Sequence, residues 1–334
     1  MTTRVQIEPW LERIRAIFPL NLVWKERARE RLREQTRPEG SLGELEHCLE
    51  RLVAIQRRER PSVSKKRIVV FAGDHGVECE GVSLYPREVT PAMVYNFLSG
   101  GATINAFARA MGVEVEVVDM GVDHDFGEEP RLTSRKIRRG TSNIRERQAM
   151  TSEELTQALE VGWEMAVQAK ADGVELLGVG EMGIGNTTAA SACISALTKS
   201  RPERMSGRGT GIDDAALERK IRVIEDALRV NERFLTDPFS ILQSLGGFEI
   251  AAITGCVIGA ASQGMACVVD GWITAAGALV AIQLNPDILD YFFFAHESGE
   301  RGHRLLLEEL NVQPLLKLSM RLGEGTGACL AMGI

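Results

Sequence analysis

The segment Arg321-Leu322-Gly323-Glu324-Gly325-Thr326-Gly327-Ala328 sets a single carboxylate between glycines, with apolar Leu322 and Ala328 nearby. A ligand can approach such a group closely, and partial burial raises a carboxylate toward the range useful for a general base. An ordinary solvated turn residue is the plainer alternative, and spacing alone leaves both open. A second candidate is Gly178-Val-Gly180-Glu-Met-Gly183, which formally satisfies the G-x-G-x-x-G dinucleotide pattern. Its continuation, Gly183-Ile-Gly185-Asn186-Thr187-Thr188, suits another task better: Asn or Thr opens a helix whose free N–H groups face an anion. Gly207-Arg208-Gly209-Thr210-Gly211 is another glycine loop, placed before a helix that opens at Asp213-Asp214. Either loop alone could be a turn. Two on one sheet edge point to a phosphate-bearing ligand.

Other constellations are weaker or missing. Neither G-x-x-x-x-G-K-[ST] nor G-x-S-x-G occurs, which removes a P-loop and a serine nucleophile elbow. Asp74-His75 either holds a ligand or caps a turn. His296 and His303 are seven residues apart, two helical turns, and could share a face. HESGERGH is not H-E-x-x-H, however, and no metal site is expected.

The elements that must position these groups follow from the apolar pattern. Short β-branched runs at Arg67–Ala72, Val113–Val118, Val174–Val179 and Met265–Val269 each end in glycine and polar residues. Amphipathic or Ala-rich helical segments lie between them, at about 91–110, 152–171, 186–199 and 214–235. Continuous apolar strands alternating with helices predict an α/β fold, Rossmann-like and three-layered, with a mostly parallel sheet covered on both faces. Ligands bind at the carboxyl edge of such sheets, where the glycine loops fall. Residues 1–60 read as charged helices around a loop at Arg37–Gly43, with Trp10, Leu11, Ile14 and Ile17 on one apolar face. The expected division is a small helical domain from 1–60 with 312–334, and a large α/β domain over 61–311.

Composition narrows the classes. The chain has 334 residues with 39 Lys+Arg against 46 Asp+Glu, a net charge of −7 that argues against general affinity for nucleic acid or anionic membrane. Six scattered cysteines without a C-x-x-C pair read as reduced thiols, since a chain this long can bury a core without staples. The start, MTTRVQIEPWLERIR, lacks an apolar signal core, which predicts a cytoplasmic protein. From Ile250 to Pro286 the sole formal charge is Asp270, and Gly255 and Gly259 form G-x-x-x-G. Thr254, Ser262, Gln263, Thr274 and Gln283 interrupt the run, so no membrane span is expected. It reads instead as two buried small-residue helices around a strand, in a soluble core or a subunit interface.

Taken together, FAGDHGV, EGVSLYPREVT, GGATINAFAR, VVDMGVD, GVGEMGIGNTTAASA, GRGTGID, LGGFEIAAITG, VVDGWITAAGAL, AHESGERGH and RLGEGTGACLAM occur in order, with RPEGSLGELE before them. This set closely resembles the nicotinate-nucleotide:5,6-dimethylbenzimidazole phosphoribosyltransferases of cobamide assembly, over about Arg37 to Met332. The resemblance implies transfer of phosphoribose from nicotinate mononucleotide to a benzimidazole-type base, with no cofactor. It implies that Glu324 is the general base. It also implies a phosphoribosyl cradle from Glu181, Gly183, Gly185, Asn186 and Thr187 with Gly207, Gly209 and Gly211. Lys220 resembles the basic residue that meets the nucleotide, and Ser298 a residue that reaches the neighbouring subunit's nucleotide, which predicts a homodimer. Tyr85, Met93 and Leu322 match positions around the base pocket. Members of the family often carry Ser at the position of Tyr85 and usually continue past Ile334 with a further helix.

Two other readings compete. One is a weakly active partner subunit of a heterodimer with altered base choice, such as phenols. The other, resting on the single G-x-G-x-x-G, is a nicotinamide-dependent oxidoreductase.

Overall fold

The structure is a computed structural model that describes residues 2–209 and 211–334, with side chains from residue 7 onward. Three helices, α1 (Thr2–Arg15), α2 (Leu22–Arg33) and α3 (Glu44–Gln56), precede the first strand, β1 (Lys66–Gly73). Then come α4 (Val89–Ser99), α5 (Thr103–Met111), β2 (Val113–Gly121), β3 (Leu132–Ser134), α6 (Ser152–Ala171) and β4 (Leu176–Met182). Next are α7 (Asn186–Thr198), α8 (Pro202–Met205), α9 (Asp214–Asn231), α10 (Pro238–Leu245) and α11 (Phe248–Ser262). The chain continues with β5 (Ala266–Val269), α12 (Trp272–Leu284), β6 (Phe292–Phe294), α13 (Arg301–Glu309) and α14 (Thr326–Ala331).

All six strands are parallel, in the order β3-β2-β1-β4-β5-β6. This is the doubly wound order, reversing between β1 and β4. Strand β4 is buried along its whole length and β1 from Arg67 onward, which is why their sequences read as unbroken apolar runs. The four expected strands are present. The two short edge strands, β3 and β6, escaped notice: three residues are too few to show a period.

Helix α11 packs on β1, β2, β4 and β5 and is backed by α6, while α4, α5 and α14 cover the sheet from another side. The α6–α11 contact is unusually close. A methyl on Gly162 would lie 1.8 Å from the Ala252 carbonyl oxygen, and one on Gly255 would lie 1.9 Å from that of Leu159. The G-x-x-x-G of α11 is therefore a crossing of two helices inside this chain's own core. Among the described residues no helix is long and apolar enough to cross a membrane. All six cysteines are free thiols, four of them buried.

One helical segment differs from expectation. The stretch 91–110 is two helices, broken at Gly100, whose φ of 79° closes α4 in the left-handed region. The N-terminal helices sit apart from the C-terminal one: α1 lies against α6 and α11, and α14 against α5, β4 and β5. The division into 1–60 with 312–334 and 61–311 is a proposal about folding units, which limited proteolysis can test.

Candidate active site

The carboxyl edge of β4, β5 and β6 opens into a cleft of about 530 Å³. Ten of the residues singled out in the sequence line it: Glu181, Gly183, Asn186, Thr187, Gly209, Ser298, Tyr85, Met93, Leu322 and Glu324. The two glycine loops and the Glu324 segment thus converge from distant stretches of chain.

Convergence depends on backbone contact. Gly180 of β4 is buried against the Glu324–Gly325 peptide, and Gly323 against the Glu181 carboxylate: a methyl on Gly323 would be 2.3 Å from Oε1 of Glu181. Glu324 itself is held at φ 63° between Gly323 and Gly325, both left-handed. This is a conformation that few residues besides glycine adopt without strain. Its carboxylate is buried within the lining, and Oε2 has no hydrogen-bond partner among the described residues. Burial, reinforced by the charge of Asp270, pushes the Glu324 carboxyl up to about 7. Burial pushes Glu181 further, to about 8, with Asp270, Glu249 and Glu324 adding to the effect. Asn186 donates its side-chain N–H to Glu181 Oε2. Both carboxyls are therefore held well above the ordinary carboxylate range by burial and by one another's neighbourhood.

Gly185 ends the first glycine loop at φ 94° and opens α7. It is packed against His75 and Glu78 beneath the cleft, where a methyl would be 3.2 Å from His75 Cβ. Lys220, on α9, is fully buried and donates from Nζ to Thr187 Oγ1 at 2.9 Å and to the Gly207 carbonyl at 3.3 Å. It thereby ties the two loops together. Burial lowers Lys220 to about 8, partly opposed by Glu300. In the second loop Gly209 donates its amide to Glu300 Oε1 at 2.7 Å, and Gly207 lies tight against the other oxygen of the same carboxylate. Gly211 has φ 103° and faces Arg321 and Leu84. Thr210, within this loop, lies outside the described residues. Gly185, Gly207, Gly211 and Lys220 frame the cleft without lining it.

Ser298 faces the cleft of its own chain, and its Oγ accepts the Glu300 amide at 3.3 Å. Its amide donates to Nδ1 of His303 at 3.0 Å. Burial drops His303 to about 3, so that it stays neutral. The two histidines do not share a helix face: α13 begins at Arg301, and His296 precedes it, although the rings approach to 6.4 Å. Asp74-His75 lies under the site. His75 Nε2 meets Glu249 Oε1 at 2.5 Å, both buried, and Asp74 Oδ2 accepts the Asp123 amide at 2.7 Å. Tyr85 and Leu322 stand half exposed at the mouth, at 51 % and 52 %. Asp270, Trp272, His296, Glu300 and Arg321 also line the cleft and were not marked as site residues in the sequence. Asp270 had a visible signal, as the sole charge in a long apolar run that no solvent-facing role explains.

A doubly wound sheet, paired carboxyls and two glycine loops tied by a buried lysine describe an α/β enzyme acting on a phosphorylated substrate. Residues 17–334 match the family model described as phosphoribosyltransferase. Among the relatives, the nicotinate-nucleotide–dimethylbenzimidazole phosphoribosyltransferase of Geobacter sulfurreducens is 51 % identical over 323 residues, covering 97 % of this chain and 92 % of that protein. The enzyme of the same name from Chlorobaculum tepidum is 47 % identical over 334 residues, covering 100 % and 93 %. The crystal structure of CobT from Thermus thermophilus superposes with a TM-score of 0.89 at 44 % identity, covering 93 % of each chain. The chain belongs to the nicotinate-nucleotide–dimethylbenzimidazole phosphoribosyltransferase family.

Proposed function

We propose that this protein transfers the 5-phosphoribosyl group of nicotinate mononucleotide to 5,6-dimethylbenzimidazole or a related base, giving the α-riboside 5′-phosphate and nicotinate for cobamide assembly. The ring nitrogen of the incoming base attacks C1′ while the bond from C1′ to the pyridinium nitrogen breaks. The bonding pair returns to the nicotinate ring, which leaves without needing a proton. The proton on the azole nitrogen goes to Glu324. Charge accumulates on the sugar as an oxocarbenium-like state, and a carboxylate near it lowers the barrier.

The observation that carries this reading is Glu324: a buried carboxylate with an unpartnered oxygen, titrating near 7, in a cleft framed by two amide-rich loops. The resemblance supplies the roles, and the lining of the cleft supports them. Glu181, Gly183, Asn186, Thr187 and Gly209 face the phosphoribosyl group, with Gly185, Gly207, Gly211 and Lys220 behind them. Tyr85, Met93 and Leu322 border the space for the base. The homodimer is part of the proposal, and cytoplasmic location with it. The 250–284 segment no longer argues for the dimer, since α11 and α12 are buried within the chain itself. What supports it is the family resemblance and the exposed apolar rim of Leu84, Tyr85, Leu318 and Leu322; Ser298, which the resemblance has reaching the neighbour, is buried in its own chain's cleft.

The test is direct. Purified protein with nicotinate mononucleotide and dimethylbenzimidazole yields a riboside phosphate seen by mass spectrometry, and Glu324→Gln lowers kcat by roughly 10²–10⁴-fold with nucleotide affinity little changed. Near-normal turnover of that variant would remove Glu324 as the base. Turnover only in the presence of a second homologue would favour the heterodimer.

A further inference from the structure

Asp270 follows the carboxyl end of β5 and is 1 % exposed. Its two oxygens serve different amides. Oδ1 accepts from Ala328 at 2.8 Å and Oδ2 from Gly325 at 3.2 Å. Both amides belong to the few residues directly after Glu324. That segment needs an outside hold, because Gly323, Glu324 and Gly325 run in succession at φ 81°, 63° and 80°. A non-glycine residue in the left-handed region costs on the order of 1 kcal/mol and persists only where its surroundings enforce it. Gly327 keeps the hold close: a methyl there would lie 2.1 Å from His296 Cδ2 and 2.9 Å from Asp270 Oδ1. His296 Nε2 stands 3.9 Å from the same oxygen.

We propose that Asp270 is a positioning residue for Glu324: by bridging the Gly325 and Ala328 amides it fixes the left-handed turn that keeps the Glu324 carboxylate facing the cleft. The proposal rests on reading Glu324 as the general base. Asp270 has a second effect through space. Among the groups facing Glu324 are Glu181 on β4, Asp270 after β5, His296 after β6, Glu300 before α13, and Arg321 on its own segment. The charge of Asp270 raises Glu324, and Glu181 and Glu324 repel one another as well. A single buried aspartate thus fixes where the base points and adds to what burial does to its hold on a proton.

The experiment separates the two effects. Asp270→Asn can accept only one of the two amides and carries no charge. It is expected to lower kcat by about 10–100-fold, the cost of one lost charged hydrogen bond. It also moves the acid limb of the kcat–pH profile down by about one unit, as expected when a close like charge is removed. Gly327→Ala pushes on the Asp270–His296 pair while keeping the charge, so kcat falls and the limb stays in place. Unfolding curves confirm that each variant is folded; should Asp270→Asn fail to fold, Gly327→Ala carries the test, and its retaining full kcat would overturn the proposal. Lowered kcat of Asp270→Asn with an unmoved limb would equally overturn it, since a purely structural defect gives that pattern. Carboxyl-carbon NMR of Glu324 in the nucleotide-free protein reads its ionisation directly. The effect of Asp270 is therefore measurable even if Glu324→Gln shows that another group is the base.

Discussion

Gly180 and Gly325 meet backbone to backbone: a methyl on Gly180 would lie 2.6 Å from the Gly325 nitrogen and 2.7 Å from the Glu324 carbonyl carbon. Strand β4 and the Glu324 turn are therefore in contact with no side chain between them, which puts the two carboxyls in one cleft. Gly180→Ala should force the turn outward. The expected outcome is a stability loss of about 1–3 kcal/mol, typical of overpacking, with a larger proportional loss in kcat than in nucleotide affinity. Denaturant unfolding and steady-state kinetics on the same preparation check both.

Lys220 supplies the second prediction. Its ammonium bridges Thr187 and Gly207 with no exposed surface, so Lys220→Met keeps the volume and removes the charge. Charged hydrogen bonds contribute about 1.5–3 kcal/mol, which corresponds to roughly a 10–100-fold rise in KM for the nucleotide. The wild-type protein should show a related pH effect. Lys220 titrates near 8 and is charged below that value, so nucleotide affinity falls as pH rises through 8. Titration calorimetry at pH 7 and pH 9 reads this, and Lys220→Met should lose the difference.

Stability of the nucleotide-free protein should also depend on pH through Glu181. Its folded value, about 8, lies above the ordinary carboxylate value of 4.5. Its contribution is then fully present below 4.5 and is lost as pH rises through 8. Glu181→Gln should therefore unfold at a higher temperature than wild type at pH 8, reflecting a stability gain on the order of a few kcal/mol, and at nearly the same temperature near pH 5. His303 works in the opposite direction. Held near 3 when folded, against 6.5 when free, it favours unfolding as pH falls below 6.5. Calorimetric scans of wild type and Glu181→Gln across pH 5–8 test the sign.

The crossing of α6 and α11 gives the fourth prediction. Backbone of each helix lies within van der Waals reach of the other at Gly162 and Gly255, so Gly255→Leu has nowhere to go. The variant should be insoluble or destabilised by more than about 3 kcal/mol, the upper end for overpacked cores. Gly173→Ala, at a glycine with open space around its Cα, should stay within roughly 1 kcal/mol, the cost of its left-handed φ. Comparing the two by thermal unfolding separates crowding from loss of glycine itself.

Much of this architecture was legible because burial on both faces leaves the middles of β1 and β4 apolar, and because polar residues then cluster toward each strand's end, Glu181 among them. The loop at Gly183–Gly185 was readable for the same reason, whereas Gly207–Gly211, which joins α8 to α9 rather than ending a strand, showed only through its glycines. Glu300, at the start of α13, was not, and His296 was visible as a histidine but not as the neighbour of Asp270, since β6 just before it is three residues long and has no period to detect. Asp270 was visible as a charge but not as a partner of Gly325 and Ala328, because hydrogen bonds spanning 55 and 58 positions leave no local trace. The break at Gly100–Gly101 was missed because the apolar spacing on either side of it continues in helical phase.

The glycine contacts around Glu324 also divide the site by how it can change over evolutionary time. At the reacting end, Gly180 abuts the Glu324–Gly325 backbone, and Gly323, Gly325 and Gly327 abut the side chains of Glu181, Ile68 and His296, so a substitution at any of them must displace backbone or a neighbouring side chain of the site. At the mouth, Tyr85 and Leu322 are half exposed and no backbone leans on them. New preferences for the acceptor base can therefore arise by drift at the rim, one viable step at a time, while the chemistry beneath is inherited unchanged.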